Sequence, residues 1–323
     1  MRWHGQETGG CSSLSMANNT LSAHAYLRRI WCGGLLIAVL VFGEFTSFAA
    51  SPKSEKDTTK VVSLVPSFTE IAYGLGSESM IAGVSDFCRF PAAALAKPRV
   101  GGFLNPSLER IVALSPTVVV LSSSQVDLQR KLEQLSISTV SIKTDSLADV
   151  FATLHRAGDI FGKPEQAATI AEKWRKQLAA FREEWTSTSK VRALVVVSRQ
   201  PNALQDIYVA GPASYLGELL EIAGGKNVVS NSNRPYPPVT KEQILECDPE
   251  VIFDFSLGEL AKNRDASEVH LAVWQSLSTV QAVKSRRIYA ITDPHFTIPG
   301  PSMFETLAVL ANYLHSAGAT RDK

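Results

Sequence analysis

Residues 103–120 read FLNPSLERIVALSPTVVV, and residues 236–253 read YPPVTKEQILECDPEVIF. Each stretch opens on an aromatic (Phe103, Tyr236), places a glutamate six positions on (Glu109, Glu242), and places a proline seven beyond that (Pro116, Pro249). A hydrophobic run follows each proline, and the two copies lie 133 positions apart. Locally each copy predicts a short capped helix, a turn at the proline and a buried strand. Ser107 is placed to cap LERIVALS, and Thr240 with Gln243 has capping-box spacing. A device repeated at this distance predicts two halves of similar build.

The flanking sequence agrees. In the first half VVSLVP reads as a buried strand ended by Pro66. SFTEIAYGLG follows as a helix, with Ser67 as N-cap, Glu70 at the capping-box position and Gly74 or Gly76 as the stop. IAGVS, TVVVLSS and STVSI read as strands, and DLQRKLEQLS and SLADVFATLHRAGDIFG as helices, the last stopped by Gly162. In the second half RALVVVS, EVIFDFS and RRIYAIT read as strands, and SYLGELLEIAG, KEQILECD and MFETLAVLANYLHSAG as helices. Continuous Val/Ile strands alternating with helices indicate parallel sheets covered on both faces. The expected fold class is α/β: two Rossmann-like lobes with parallel sheets joined by one long helix.

That helix is the KPEQAATIAEKWRKQLAAFREEW stretch. Pro164 suits a first helical turn, and Ala167, Ile170, Ala171, Trp174, Gln177, Leu178, Phe181 and Trp185 fall on one stripe. About 22 residues at ~1.5 Å each give roughly 33 Å, enough to lie along both lobes. The expected organisation is a leader over 1–50, a polar linker over 51–60, an N-terminal lobe over 61–162, the interlobe helix over 163–189 and a C-terminal lobe over 190–323.

Bulk composition excludes several classes. The chain of 323 residues has a net charge of +1, so no broad field points to nucleic acid or an anionic membrane. No GxSxG, HExxH or phosphate-cradling glycine loop is present, so no enzyme activity is expected. At the N-terminus Arg28 and Arg29 precede the 14-residue apolar run IWCGGLLIAVLVFG, with Ser47 and Ala49 at small-residue cleavage positions. This is the order of a secretory signal, with a retained membrane anchor as the alternative reading and Met16 as an alternative start. The expected location is periplasmic. Cys88 and Cys247 fall in different halves and are expected to be separate thiols.

From about Val61 to the last helix the chain resembles the helical-linker class of periplasmic substrate-binding proteins, which serve ABC importers of cobalamin, haem and ferric siderophores. GVSDFCRFP followed by LNPSLERIVALSPTVVV is most similar to the cobalamin-binding branch. YVAGPASYLGELLEIAGGKNVV, PPVTKEQILECDPEVI and IPGPSMFETLAVLANYL resemble further segments of it in order. The resemblance implies a monomeric carrier whose partners are a small-molecule ligand, a corrinoid, and an importer permease dimer. It also implies no cofactor beyond that ligand. Glu109 and Glu242 match the two glutamates that such proteins present to a two-fold symmetric permease. The dipole at a helix start, worth ~0.3–1 kcal/mol to an anion, is the other explanation of an acid at each site.

In this class the ligand lies between the lobes, at the carboxyl ends of the strands. The candidate ligand-binding residues are Phe87, Cys88, Phe103, Tyr236, His295 and Phe296, with Phe90 beside them. Phe87, Phe103 and Tyr236 match the family's cleft aromatics, and packing at the lobe junction is the other use for such rings. His295 is expected as a possible axial ligand of a corrinoid cobalt or haem iron, and Cys88 as a soft ligand or a buried thiol. Two departures matter. SSSQ follows TVVVL where the cobalamin binders carry a tryptophan. Ser302 stands where siderophore and haem binders carry an arginine after Gly-Pro, so a carboxylate-bearing ligand loses an obvious cation. Haem and siderophore remain the alternative ligands, and a chelatase-like enzyme of the same fold a more distant one.

Overall fold

The computed structural model describes residues 59–186, 189–256 and 271–316. In the first half, β1 (Val61–Ser63), β2 (Ile81–Val84), β3 (Val118–Ser122) and β4 (Ser138–Ile142) form a four-stranded sheet in the order β2-β1-β3-β4. Every pairing in it is parallel. The crossovers run through α1 (Pro66–Gly74), α2 (Leu108–Ala113) and α3 (Val126–Gln134), and α4 (Leu147–Ile160) follows β4. The chain leaves β1 to one side for β2 and then crosses to the other side for β3, so the order reverses between β1 and β3.

α5 (Pro164–Glu184) comes next as a helix of 21 residues. Ala167, Ala171, Trp174 and Leu178 form its buried stripe, whereas Gln177, expected on that stripe, faces solvent. β5 (Val191–Ser198), β6 (Ile207–Val209), α6 (Tyr215–Ile222), β7 (Gly225–Asn227), β8 (Pro238–Val239), α7 (Lys241–Cys247), β9 (Val251–Asp254), α8 (Gln281–Lys284), β10 (Ile288–Ala290) and α9 (Met303–His315) complete the described chain.

The parallel strands of the second sheet repeat the first. β7, β5, β9 and β10 pair side by side in parallel, which is again the order second, first, third, fourth. The expectation of an all-parallel sheet needs correction, because β6 and β8 extend it in antiparallel fashion. Only Arg199–Asp206 separates β5 from β6, too little chain for the crossover of a dozen or more residues that a parallel return needs. Pro238 is tolerated because β8 is an edge strand.

The repeated device folds alike in both halves. Ser107 accepts from the Arg110 amide, and Thr240 forms a capping box with Gln243. Ile111 and Ile244 are the buried residues of α2 and α7. The backbone then turns left-handed at Ser115 (φ 47°) and Asp248 (φ 39°), just before each proline. Both following strands start at the same offset, Val118 and Val251.

At the start of α1 the expected cap is displaced. Val65 is the N-cap and Pro66 opens the helix, so Ser67 and Glu70 lie within it, both buried. Proline at the first helical position is favoured because its fixed φ is already helical and its missing N–H has no intrahelical partner there.

One buried apolar cluster runs through both halves and includes Phe68, Leu154, Trp174, Leu219 and Leu307. Trp174 meets Phe151 of α4 edge-on at 6.2 Å and Phe304 of α9 at 6.5 Å, so a single linker side chain packs on both halves. Trp185, just past the helix, lies flat on His315 at 3.8 Å. Smaller clusters fill the outer side of each sheet, around Ile111 and Leu132 in the first and around Ile244 and Trp274 in the second. No helix of the described residues is long and apolar enough to cross a membrane. The leader expected over 1–50 lies outside the described residues, as does most of the polar linker.

Candidate functional site

In open α/β sheets the crevice forms where strand order reverses, beyond the carboxyl ends of the strands. In the first sheet that is the space beyond β1 and β3, and α1 begins there. Ser67 and Glu70 of its first two turns meet the loop between β10 and α9. The Glu70 Oε1 atom lies 3.5 Å from His295 Nε2, and His295 Nδ1 lies 3.7 Å from Glu305 Oε2. Phe90, in the loop after β2, stacks on the imidazole with centroids 4.0 Å apart. Gly300 lies close beside it: a Cβ there would sit 3.1 Å from Glu70 Oε2.

Burial pushes the Glu70 carboxyl up to about 8; the Ser302 hydroxyl and amide pull it down, and the charge of Glu305 adds to the rise. Ser67 Oγ and Glu70 Oε1 are buried without a hydrogen-bond partner. Sequence reading missed this group by placing Glu70 at the capping-box position of a helix capped by Ser67. The signal was Pro66, which starts the helix two residues earlier than a cap at Ser67 would.

A second set of bonds closes the junction between the halves. The Leu147 amide at the start of α4 donates to Glu218 Oε2 of α6 at 2.6 Å, and the Tyr215 amide donates to the Asp145 carbonyl. The Tyr215 hydroxyl donates to the Ile298 carbonyl at 3.1 Å. Tyr236 is half-buried nearby. Burial, then the charges of Asp145, Asp149 and Glu218, push its phenol up to about 12. It therefore stays a neutral donor across the physiological range.

The first-half rim carries the exposed aromatics. Phe87 is 54% exposed and Phe103 41%, and the Phe87 ring packs 3.6 Å from where a Gly102 side chain would begin. Gln125, unmarked by sequence, fixes this rim. Its side-chain amide donates to the Phe103 carbonyl at 2.9 Å, and its Oε1 accepts from the Ser122 amide at 3.1 Å. Ser122 and Ser124 bond each other through their hydroxyls at 2.9 Å, leaving a small, polar edge after β3.

The structure alters one expected ligand contact. Cys88 is fully buried, its thiol against Ser85 Oγ at 3.2 Å and the Ser63 carbonyl at 3.6 Å, and burial pushes its pKa up. It is a packed thiol of the first-half core and offers no surface to a ligand. Cys247 is likewise a free thiol. His295 is at the junction as expected, but both ring nitrogens face carboxylates and one ring face is covered by Phe90. Phe296 is half-buried beside it, its carbonyl accepting from Thr306. Among the described residues no group of three or more His, Cys, Asp and Glu side chains could hold a metal ion.

Glu109 and Glu242 stand exposed in the first turns of α2 and α7. The Glu242 backbone amide and the Thr240 hydroxyl hold the Glu242 carboxyl below the usual range.

Residues 61–294 match the family model described as periplasmic binding protein. The chain belongs to this family. Among curated members, the vitamin B12-binding protein of Vibrio campbellii is 31% identical over 216 residues, covering 66% of this chain and 74% of that one. The solved structure of the periplasmic vitamin B12 binding protein of Vibrio cholerae superposes with a TM-score of 0.65 at 24% identity, over 79% of this chain and 96% of that one. A periplasmic haem binding protein of Pseudomonas aeruginosa reaches 0.70 at 22% identity, over 80% and 93%. Within the periplasmic binding proteins the fold is thus common to carriers of both ligands, and fold alone does not choose between them.

Proposed function

We propose that this protein is the extracytoplasmic solute-binding component of an ABC importer. It takes up a corrinoid between its two lobes and docks on a permease dimer through Glu109 and Glu242. The observation that carries the ligand assignment is the vitamin B12-binding relative at 31% identity. The exposed Phe87 and Phe103 on the rim, set by Gln125, support it, because a flat and largely apolar macrocycle suits such rings. Ser302, in place of a cation after Gly-Pro, speaks against ligands that need a fixed partner for a carboxylate.

Capture works between halves that shift little. The continuous apolar core through α1, α4, α5, α6 and α9, with the Leu147–Glu218 bond, ties the lobes along one side. A small tilt then suffices to admit and release ligand at the other. The repeated strand order supports the docking half of the proposal: two similar lobes offer the same group twice, as a two-fold partner requires.

The test is a visible-absorption titration of the mature chain with aquocobalamin and, separately, with haemin. Saturable binding of the corrinoid is expected, with the same cobalt spectrum in wild type and His295→Ala. Binding of haemin with none of the corrinoid would overturn the ligand assignment and favour the haem reading.

A further inference from the structure

α2 and α7 present the same burial pattern position by position. Leu108 and Lys241 are half-buried, Ile111 and Ile244 fully buried, and Leu114 and Cys247 half-buried again. Four pairs face solvent: Glu109 with Glu242, Arg110 with Gln243, Val112 with Leu245, and Ala113 with Glu246. Two of these pairs have drifted to unrelated chemistry. Two have kept it, the glutamates and the aliphatics.

The buried pairs need no explanation beyond packing, and the caps and left-handed turns none beyond backbone geometry. The exposed part of an aliphatic side chain gains nothing from the fold. Val112 and Leu245 are nevertheless each 41% exposed, and both belong to the small set of large exposed apolar side chains in the described chain. Each stands three residues after its glutamate, so the two side chains are neighbours on one helix face. Each lobe therefore shows a carboxylate flanked by an apolar pad, and the pair recurs at the 133-residue offset.

Resting on the docking reading above, we infer that Val112 and Leu245 are contact residues of the same interface. The partner is a two-fold symmetric membrane protein in which each subunit presents a cationic side chain beside an apolar one. Charge complementarity fixes the cation. The pad supplies what a rim ion pair lacks, since such pairs orient an encounter more than they hold it. Burial of the aliphatic excludes water from the pair and slows dissociation.

The experiment measures association of the full mature chain with the importer's own permease–ATPase complex in nanodiscs, by surface-immobilised kinetics. Val112→Thr and Leu245→Gln are compared with Glu109→Ala and Glu242→Ala, with circular dichroism and ligand titration as controls on folding. Each aliphatic variant is expected to dissociate about tenfold faster, with an association rate close to wild type and ligand binding intact. The acid variants are expected to slow association and to lose its salt dependence. Unchanged dissociation in both aliphatic variants, with the acid variants impaired, would overturn this inference and leave the docking reading standing. Wild-type kinetics in the acid variants, or no association by the wild type, would overturn both.

Discussion

Replacing Glu70 by glutamine should make the protein more stable at alkaline pH and leave it nearly unchanged at acid pH. The carboxyl is 6% exposed, with no hydrogen bond to Oε1, and burial raises its pKa from 4.5 to about 8. Below the lower value both folded and unfolded chains hold the proton. As pH rises, the unfolded chain ionises first, so stability falls until pH passes about 8, the pKa of the folded state. At ~1.4 kcal/mol per pH unit the whole fall is about 5 kcal/mol. The groups facing Glu70 are His295, Glu305, Ser302 and the phenol of Tyr215. Glutamine keeps the volume and has no proton to lose. Urea unfolding at pH 5, 7 and 9 should show the variant's advantage growing with pH, up to about 5 kcal/mol at the top. A difference independent of pH, or a variant weaker than wild type at pH 9, would refute the reasoning.

Other substitutions test other links. Asp254 and Arg199 are both fully buried, paired at 2.9 Å, with Trp274 Nε1 donating to the same carboxylate at 3.0 Å. Asp254→Ala should cost about 3–5 kcal/mol in denaturant unfolding, because it strands a buried guanidinium without its carboxylate. Trp174→Ala should cost about 3–5 kcal/mol and should raise amide exchange in α4 and α9 together, since its ring touches both. Phe87→Ala with Phe103→Ala should weaken the corrinoid by about 1–2 kcal/mol for each ring, measured by titration, and leave the melting temperature unmoved.

The duplicated device was the most legible part of the sequence, because its features are short-range. A cap, a buried isoleucine at helical spacing and a proline after a turn each act within a few residues. β6 and β8 were not legible: IYV and PV are too short to show alternation, and they form only because β5 offers an edge. At the site, the loops carrying Phe87, Phe103 and His295 could be named from the fold. Which way their groups point could not, since that is set by partners far along the chain. Cys88 turns inward onto the carbonyl of Ser63, 25 positions back, and His295 lies 3.5 Å from the carboxyl of Glu70, some 225 positions away. Gln125 reaches Phe103 and Glu218 reaches Leu147 through bonds that span 22 and 71 positions and leave no local pattern.

The central claim is that the chain delivers a corrinoid to an importer, and uptake tests it most directly. Proteoliposomes holding the importer complex would be given labelled cyanocobalamin and ATP, with and without the mature chain. The account predicts accumulation only when the protein is present. It also predicts loss of that accumulation with Glu109→Ala and Glu242→Ala combined, although the variant still binds ligand. Equal uptake in the absence of the protein, or full uptake with the double variant, would contradict it.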